Sequence, residues 1–247
     1  MKSHLDLYYT ADNDDSRVLD IYLPENDNFT TVLWFHGGGL GSGSRHGGDR
    51  PAGLLQKGIA MVYPDYRMYP TAKYPEFIED AAAAVAFAIK KVKELGGNGK
   101  FFIGGSSAGA YLTMMLCMNK DYLKNVGVNE ETDISGFISD SAQMFTHFNV
   151  LKEMGMNSNI EYIDEKAPIY YVNPDLKIRP LLIDYYDNDM ICRPEENKLF
   201  YASIKRFLPD NVIDIVEFQG THCKAVMPDK DGNRAIEPKI LEFINKN

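Results

Sequence analysis

The chain has 247 residues, of which 45% are hydrophobic and 25% charged, a profile that fits one large globular domain or two small ones. Its 26 Lys and Arg against 35 Asp and Glu leave a formal net charge of −9, so no basic excess is at hand to bind nucleic acid or an anionic membrane. Ala81–Ile89, the best candidate for a membrane span, falls far short of the ~20 apolar residues a bilayer requires.

The opening MKSHLDLYYT has one early lysine but no apolar run and no small-residue cleavage site. It does not read as a signal peptide, and a cytoplasmic location is expected. Two stretches then alternate apolar and polar residues, His4–Tyr9 and Arg17–Leu23, with the turn-forming run Ala-Asp-Asn-Asp-Asp between them. That pattern predicts an antiparallel hairpin. Beyond it the texture changes to short unbroken apolar runs, at Thr31–Phe35, Ile59–Tyr63, Lys100–Gly104, Ser135–Ser139, Pro180–Tyr185 and Val212–Phe218. Strands buried on both faces look like this, as in a parallel sheet covered by helices.

Helical periods lie between several of these runs. In Glu76–Leu95 the apolar positions Ile78, Ala82, Val85, Ile89 and Val92 recur at steps of three or four, and Gly96-Gly97 provides a left-handed stop. Ala108–Met118 is apolar nearly all round and is expected to be a central buried helix. Pro194 opens another, running to about Phe207, and a last one occupies roughly Glu237–Asn245. The prediction is therefore an α/β fold: one domain over residues 1–247 with a doubly wound, mostly parallel eight-stranded sheet and an antiparallel N-terminal hairpin. Met144–Asn173 fits poorly, with Met144, Phe145, Phe148, Met154, Met156 and Tyr162 in weak periodicity. A connection that long is usually functional, and a small lid over a site is expected there.

Chemistry concentrates at a few points. In Phe101-Phe102-Ile103-Gly104-Gly105-Ser106-Ser107-Ala108-Gly109-Ala110 a buried strand runs into a helix through Gly-x-Ser-x-Gly. Small residues two before and two after a serine allow a turn tight enough to lift its hydroxyl above the sheet edge. Ser107 has Gly105 and Gly109 at those places, whereas Ser106 would have Gly104 and Ala108, so Ser107 is the candidate nucleophile. The strand Thr31–Phe35 ends in His36-Gly37-Gly38-Gly39, where backbone N–H groups can converge on an oxyanion with no side chain in the way. It is not a phosphate loop, since the lysine of that motif is missing.

A hydrolytic serine needs a base, and the base needs an acid. Of the five histidines, His4, His36, His46 and His147 fall on the first strand, the glycine turn, a polar loop and the expected lid. His222 follows the last strand, in Gln219-Gly220-Thr221-His222-Cys223, where open α/β sheets place ligands. Asp184, Asp187 and Asp189 follow Pro180; Asp189 is favoured for its place in the loop, with Asp187 as the main rival. The three cysteines Cys117, Cys192 and Cys223 lack ligand spacing and read as free thiols.

On His36-Gly37-Gly38-Gly39, Pro64-Asp65-Tyr66-Arg67, Tyr74-Pro75 and Gly105-Ser106-Ser107-Ala108-Gly109, and over nearly its whole length, the chain resembles the α/β-hydrolase superfamily. Within it the likeness is to hormone-sensitive-lipase-like carboxylesterases and small bacterial acetyl-xylan or feruloyl esterases. The resemblance implies catalytic Ser107, Asp189 and His222, with the backbone N–H groups of Gly38, Gly39 and Ala108 as oxyanion donors. It implies hydrolysis of a small-molecule ester through an acyl-enzyme, with no metal or cofactor. Ser106 and Tyr186 depart from the family's usual residues beside the nucleophile and before the acid, and the cover of the site is expected to come from Met144–Asn173 and not from a long helical N-terminal cap. Leu40, Tyr111, Met144 and Phe145 are candidate walls of an apolar acyl or aryl pocket, ordinary core being their other reading. An aryl-formamidase activity is the nearest alternative, because Ser107-Ala108-Gly109-Ala110 fits that family too. A non-catalytic small-molecule receptor on the same scaffold is the alternative from another class. The oligomeric state stays open, a homodimer included.

Overall fold

A computed structural model describes residues 2–208 and 212–247. The hairpin consists of β1 (Lys2–Tyr8) and β2 (Val18–Leu23), paired antiparallel. β2 also pairs antiparallel with β4 (Ile59–Pro64), and β4 runs parallel to β3 (Phe29–Phe35). From β3 the sheet continues in parallel through β5 (Gly97–Ser106), β6 (Gly136–Asp140), β7 (Leu181–Asn188) and β8 (Ile213–Thr221). The strand order is β1-β2-β4-β3-β5-β6-β7-β8, the doubly wound arrangement the apolar runs predict. Every residue of β4 and of β6 is buried, because helices cover both faces.

Alternation along each strand divides the core in two. Leu33 and Phe35 of β3 face one cluster with α1 (Glu76–Glu94), α2 (Ala108–Met118) and α6 (Arg193–Lys205). Val32 and Trp34 face the other, closed by Ile240, Phe243 and Ile244 of α7 (Glu237–Lys246). α1 carries Glu76 and Glu79 in its first turn and Lys91 and Lys93 in its last, which suits the helix dipole. It gives way to Gly96 at φ 98°, the left-handed stop expected there. α2 has all eleven residues buried, so it has no polar face to show.

Three features differ from the sequence-based expectation. A short 3₁₀ helix, Ala52–Lys57, stands between β3 and β4 in place of a full crossover helix. α3 (Asp121–Asn125) and α4 (Glu130–Asp133) fill the connection from α2 to β6; each is too short to register as a period, and Asn129 caps α4 by accepting from Glu131 N–H at 3.0 Å. Residues 144–173 are folded and anchored, with α5 (Phe148–Glu153) and a 3₁₀ turn at Pro168–Tyr171. Glu196 Oε2 on α6 accepts from Met144 N–H at 2.7 Å and Phe145 N–H at 3.2 Å, and Tyr111 O–H on α2 donates to Lys166 O at 2.6 Å. Burial pushes the Glu196 carboxyl up to about 7, against the pull of the Arg193 guanidinium. Between these anchors Met154, Ile160, Tyr162 and Ile163 are exposed. No helix among the described residues is long and apolar enough to cross a membrane.

Candidate active site

β4 lies to one side of β3 and β5 to the other, so the winding of the sheet reverses between β3 and β5. Open α/β sheets leave a crevice at the carboxyl ends of strands flanking such a switch point. Both glycine motifs lie there, one after each strand.

β5 ends at Ser106 and α2 begins at Ala108, leaving Ser107 alone to make the turn. Its φ of 54° and ψ of −113° lie in a sparsely populated region that costs a non-glycine residue about 1–3 kcal/mol. Hydrogen bonds hold it there: Ser107 N–H donates to Asp140 O at 2.8 Å, and Tyr111 N–H donates to Ser107 O at 2.9 Å. The helix start passes so near β3 that a Cβ on Gly109 would stand 2.1 Å from Phe35 O.

Beyond β8 the chain turns to bring His222 over this elbow. Its Nε2 lies 2.7 Å from Ser107 Oγ, and its Nδ1 lies 2.5 Å from Asp189 Oδ1. The Asp189 side chain has 0% exposure. Burial pushes its carboxyl up, but hydrogen bonds from His222 and Ser141 and the nearby imidazole outweigh that and hold it below the usual range. An ionised Asp189 makes Nδ1 the donor and leaves Nε2 free to accept the Ser107 proton. Asp187 does not take part in this contact; its Oδ1 accepts from Gly220 N–H at 2.7 Å. Asp184 is buried within β7. His36 stacks on Tyr66 at 4.5 Å inside the glycine turn, and burial lowers its pKa. His147 is buried at the start of α5, accepting from Asn149 N–H, while His4 lies on β1 and His46 in the polar loop.

A second serine reaches the same imidazole. Ser141 Oγ donates to Asp189 Oδ2 at 2.5 Å and lies 3.1 Å from His222 Nδ1. Because Nδ1 already serves the carboxylate, it cannot take a proton from Ser141, and only Ser107 faces the free nitrogen. No spacing rule singles out Ser141, a lone serine after a strand with no glycine beside it. Its backbone is the signal: φ is 57°, fixed by Arg193 Nη1 donating to Ser141 O at 2.8 Å. Leu40, Ser107, Ser141, Cys192 and Cys223 all have positive φ, one on each of five loops converging here. Strain concentrated in this way is characteristic of sites whose geometry the surrounding fold enforces.

The glycine turn lies against the elbow, since a Cβ on Gly37 would come within 3.3 Å of Ser107 Cβ. Gly38 and Gly39 have φ of 106° and 64°, open to glycine and strained for other residues. Gly37 N–H is held by Asp49 Oδ2 at 2.6 Å, and Gly39 O accepts from Asn149 Nδ2 on α5. The Ala108 N–H belongs to the first turn of α2, where amides have no acceptor within the helix. The elements that carry the expected oxyanion donors thus border the Ser107 hydroxyl.

The four residues expected as pocket walls differ in exposure. Leu40, Tyr111 and Met144 are fully buried in the main core, and only Phe145 is partly exposed. Next to the glycine turn and the acid loop opens a cavity of about 730 Å³ lined by Gln143, Phe148, Lys152, Glu161, Ile191 and Arg193, among others. Its walls are more polar than the apolar set expected, although Ile191 is 93% exposed at its edge. Among the described residues no three His, Cys, Asp or Glu side chains come together as a metal site would require.

The sequence profile of the BD-FAE family matches residues 19–204. Among curated proteins, Esterase LipI of Mycobacterium tuberculosis is 31% identical over 96 residues, 38% of this chain and 30% of its own length. An acetyl esterase of Salmonella paratyphi B is 32% identical over 97 residues, again 38% of this chain and 30% of its own length. The chain therefore spans about 30% of the length of these relatives. Among solved structures, a truncated carbohydrate esterase from gut microbiota superposes with a TM-score of 0.78 at 16% identity, covering 100% of this chain and 96% of that one. The Thermogutta terrifontis esterase Est2 gives 0.71 at 21% identity, covering 99% and 90%. At such identities the likeness speaks to the fold, which is that of the α/β-hydrolases.

Proposed function

This chain belongs to the BD-FAE family, and on that footing we propose that it is a serine carboxylesterase acting on small acyl esters. Ser107 Oγ attacks the ester carbonyl while His222 Nε2 takes its proton, and Asp189 orients the ring and stabilises its charged form. The N–H groups of Gly38, Gly39 and Ala108 receive the oxyanion. Collapse of the tetrahedral intermediate breaks the bond to the alcohol, which leaves with the proton from His222. Water then attacks the acyl-enzyme by the same route, and the acid departs. Residues 144–173 form the cover of the site in this reading, fixed at its anchors and open at its tip.

The observation that carries the proposal is the single imidazole that meets Ser107 at one nitrogen and Asp189 at the other, at 2.7 Å and 2.5 Å. The charged and amide side chains set among apolar ones in the adjoining cavity favour esters whose alcohol portion is polar, which agrees with one neighbour being named a carbohydrate esterase. The test is hydrolysis of p-nitrophenyl acetate together with labelling by a fluorophosphonate. Turnover with the label on Ser107 is expected; a protein that neither turns over nor labels would instead be a receptor on this scaffold. N-formylkynurenine hydrolysed faster than any ester would move the assignment to the formamidase reading.

Gly39→Ala probes the oxyanion turn. Its new Cβ would stand 2.7 Å from Phe148 Cζ at a φ of 64°, so the turn or the ring must shift. Loss of one oxyanion donor lowers turnover about 10²–10³-fold, and a drop in kcat of that order with little change in KM is expected. A variant with unchanged kcat would remove Gly39 from the role.

A further inference from the structure

Beneath the contact between Ser107 and His222 runs a row of polar side chains that the mechanism above leaves unused. Ser106 on β5, Asp140 on β6 and Asp184 on β7 stand opposite one another in register at the strand ends. None is more than 1% exposed. Burial and the like charge of a neighbour both work against ionising two carboxylates in so dry a place, which favours one proton between them. Hydrogen bonding decides which one holds it. Asp140 accepts from Ser106 Oγ at Oδ2, 2.7 Å, and from Tyr186 O–H at Oδ1, 2.8 Å. An ionised Asp184 would have no donor for either oxygen among the described residues, whereas a protonated one has the Asp140 carboxylate beside it, in register on β6, as an acceptor. Burial and the Asp140 charge push the Asp184 carboxyl well above the usual carboxylate range. Burial raises Asp140 as well, opposed by the bonds from Asp184, Ser106 and Tyr186 and by His222 nearby.

Asp140 also joins the two halves of the site. Its own carbonyl accepts from Ser107 N–H, and its carboxylate holds Ser106. Tyr186, gripped from the other side, accepts at its hydroxyl from Ala225 N–H at 3.1 Å, in the turn that carries His222. Besides Tyr186 and His222, the ionisable groups facing the pair are Asp189 and Cys223, and Arg193 acts on Cys223 in turn. We propose that Asp140, ionised and paired with a protonated Asp184, is a positioning residue of the ester reaction. It locks the serine elbow to the histidine turn and places a negative charge under the imidazolium that forms when His222 takes the Ser107 proton.

The inference rests on the esterase reading, and its test separates the two. Asp140→Asn, Asp184→Asn and Tyr186→Phe are compared with the wild-type chain for kcat and KM on p-nitrophenyl acetate, pH profile and Tm. Asp184→Asn keeps a donor toward Asp140 and leaves its charge in place, so kcat within about threefold of wild type is expected. Asp140→Asn removes the charge and turns one of the two acceptor oxygens into a donor, and a fall in kcat of about tenfold or more is expected, with KM nearly unchanged and the acid limb of the pH profile displaced. Tyr186→Phe removes both the donor to Asp140 and the link to Ala225 but leaves the Asp140 charge in place, and is expected to lower kcat by a smaller factor. Equal damage from Asp184→Asn and Asp140→Asn, or an Asp140→Asn kcat within twofold of wild type in a folded protein, overturns the proposal. The proton itself is read without turnover: at about pH 8, where ordinary carboxyls are ionised, the infrared band of a neutral carboxylic acid is expected in wild type and lost in Asp184→Asn. Its absence from wild type sinks the shared-proton assignment even if the chain is an esterase. Its presence in a chain without turnover sinks the esterase reading alone.

Discussion

Ser107→Ala is expected to lower ester turnover on the order of 10⁶-fold while leaving Tm within a degree or two of wild type. Losing the nucleophile of a working triad costs about that much, because the base and acid have nothing left to activate. The fold is spared, since alanine faces the same backbone demand that serine meets at φ 54° and its methyl occupies the place of the serine Cβ. Neither neighbouring hydroxyl can stand in. Ser106 Oγ is buried and committed to Asp140 at 2.7 Å, and Ser141 meets the imidazole only at the nitrogen that serves Asp189. Initial rates on p-nitrophenyl acetate and a thermal melt check both halves of the statement. A variant retaining a tenth of wild-type kcat would move the nucleophile elsewhere.

Asp189→Asn is expected to cost about 10⁴-fold in kcat, the scale on which a triad loses function when its histidine is held in the wrong tautomer. An amide nitrogen facing His222 Nδ1 forces that atom to accept, so Nε2 keeps its own proton and cannot take one from Ser107. Asp187→Asn serves as the comparison. Its oxygen can still accept from Gly220 N–H, the contact Asp187 makes at 2.7 Å, and kcat within about threefold of wild type is expected. The two variants lie two positions apart in one loop, so a general disturbance of that loop would affect both. Comparable losses from both would mean that the loop, not the carboxylate on His222, is what matters.

Much of the site was legible because its signals are local. Gly105-Ser106-Ser107-Ala108-Gly109 announces a tight strand-to-helix turn from the sizes of adjacent residues, and His36-Gly37-Gly38-Gly39 announces exposed amides in the same way. The choice between Asp187 and Asp189 was harder, as both sit on one short loop and only direction in space tells them apart. Ser141 and Asp140 carried no local signal, and Asp184 and Tyr186 stood out only as a candidate acid and as a departure from the usual residue before it. Each matters through partners on other strands, and Ser106, Asp140 and Asp184 meet only because three parallel strands lie in one register. Leu40, Tyr111 and Met144 had two readings in the sequence, pocket wall or ordinary core, because apolar character and nearness to the motifs suit both; their packing places them in the buried cluster.

By itself the sequence determined the strands and main helices, the elbow and the glycine turn, because apolar period, glycine placement and chain order act over a few neighbouring residues. Only the tertiary structure decided which carboxylate meets the imidazole, which serine faces its free nitrogen, and where a shared proton is buried. Those outcomes depend on distances of a few ångströms between segments far apart in the chain, and such distances are set by how strands register and helices pack.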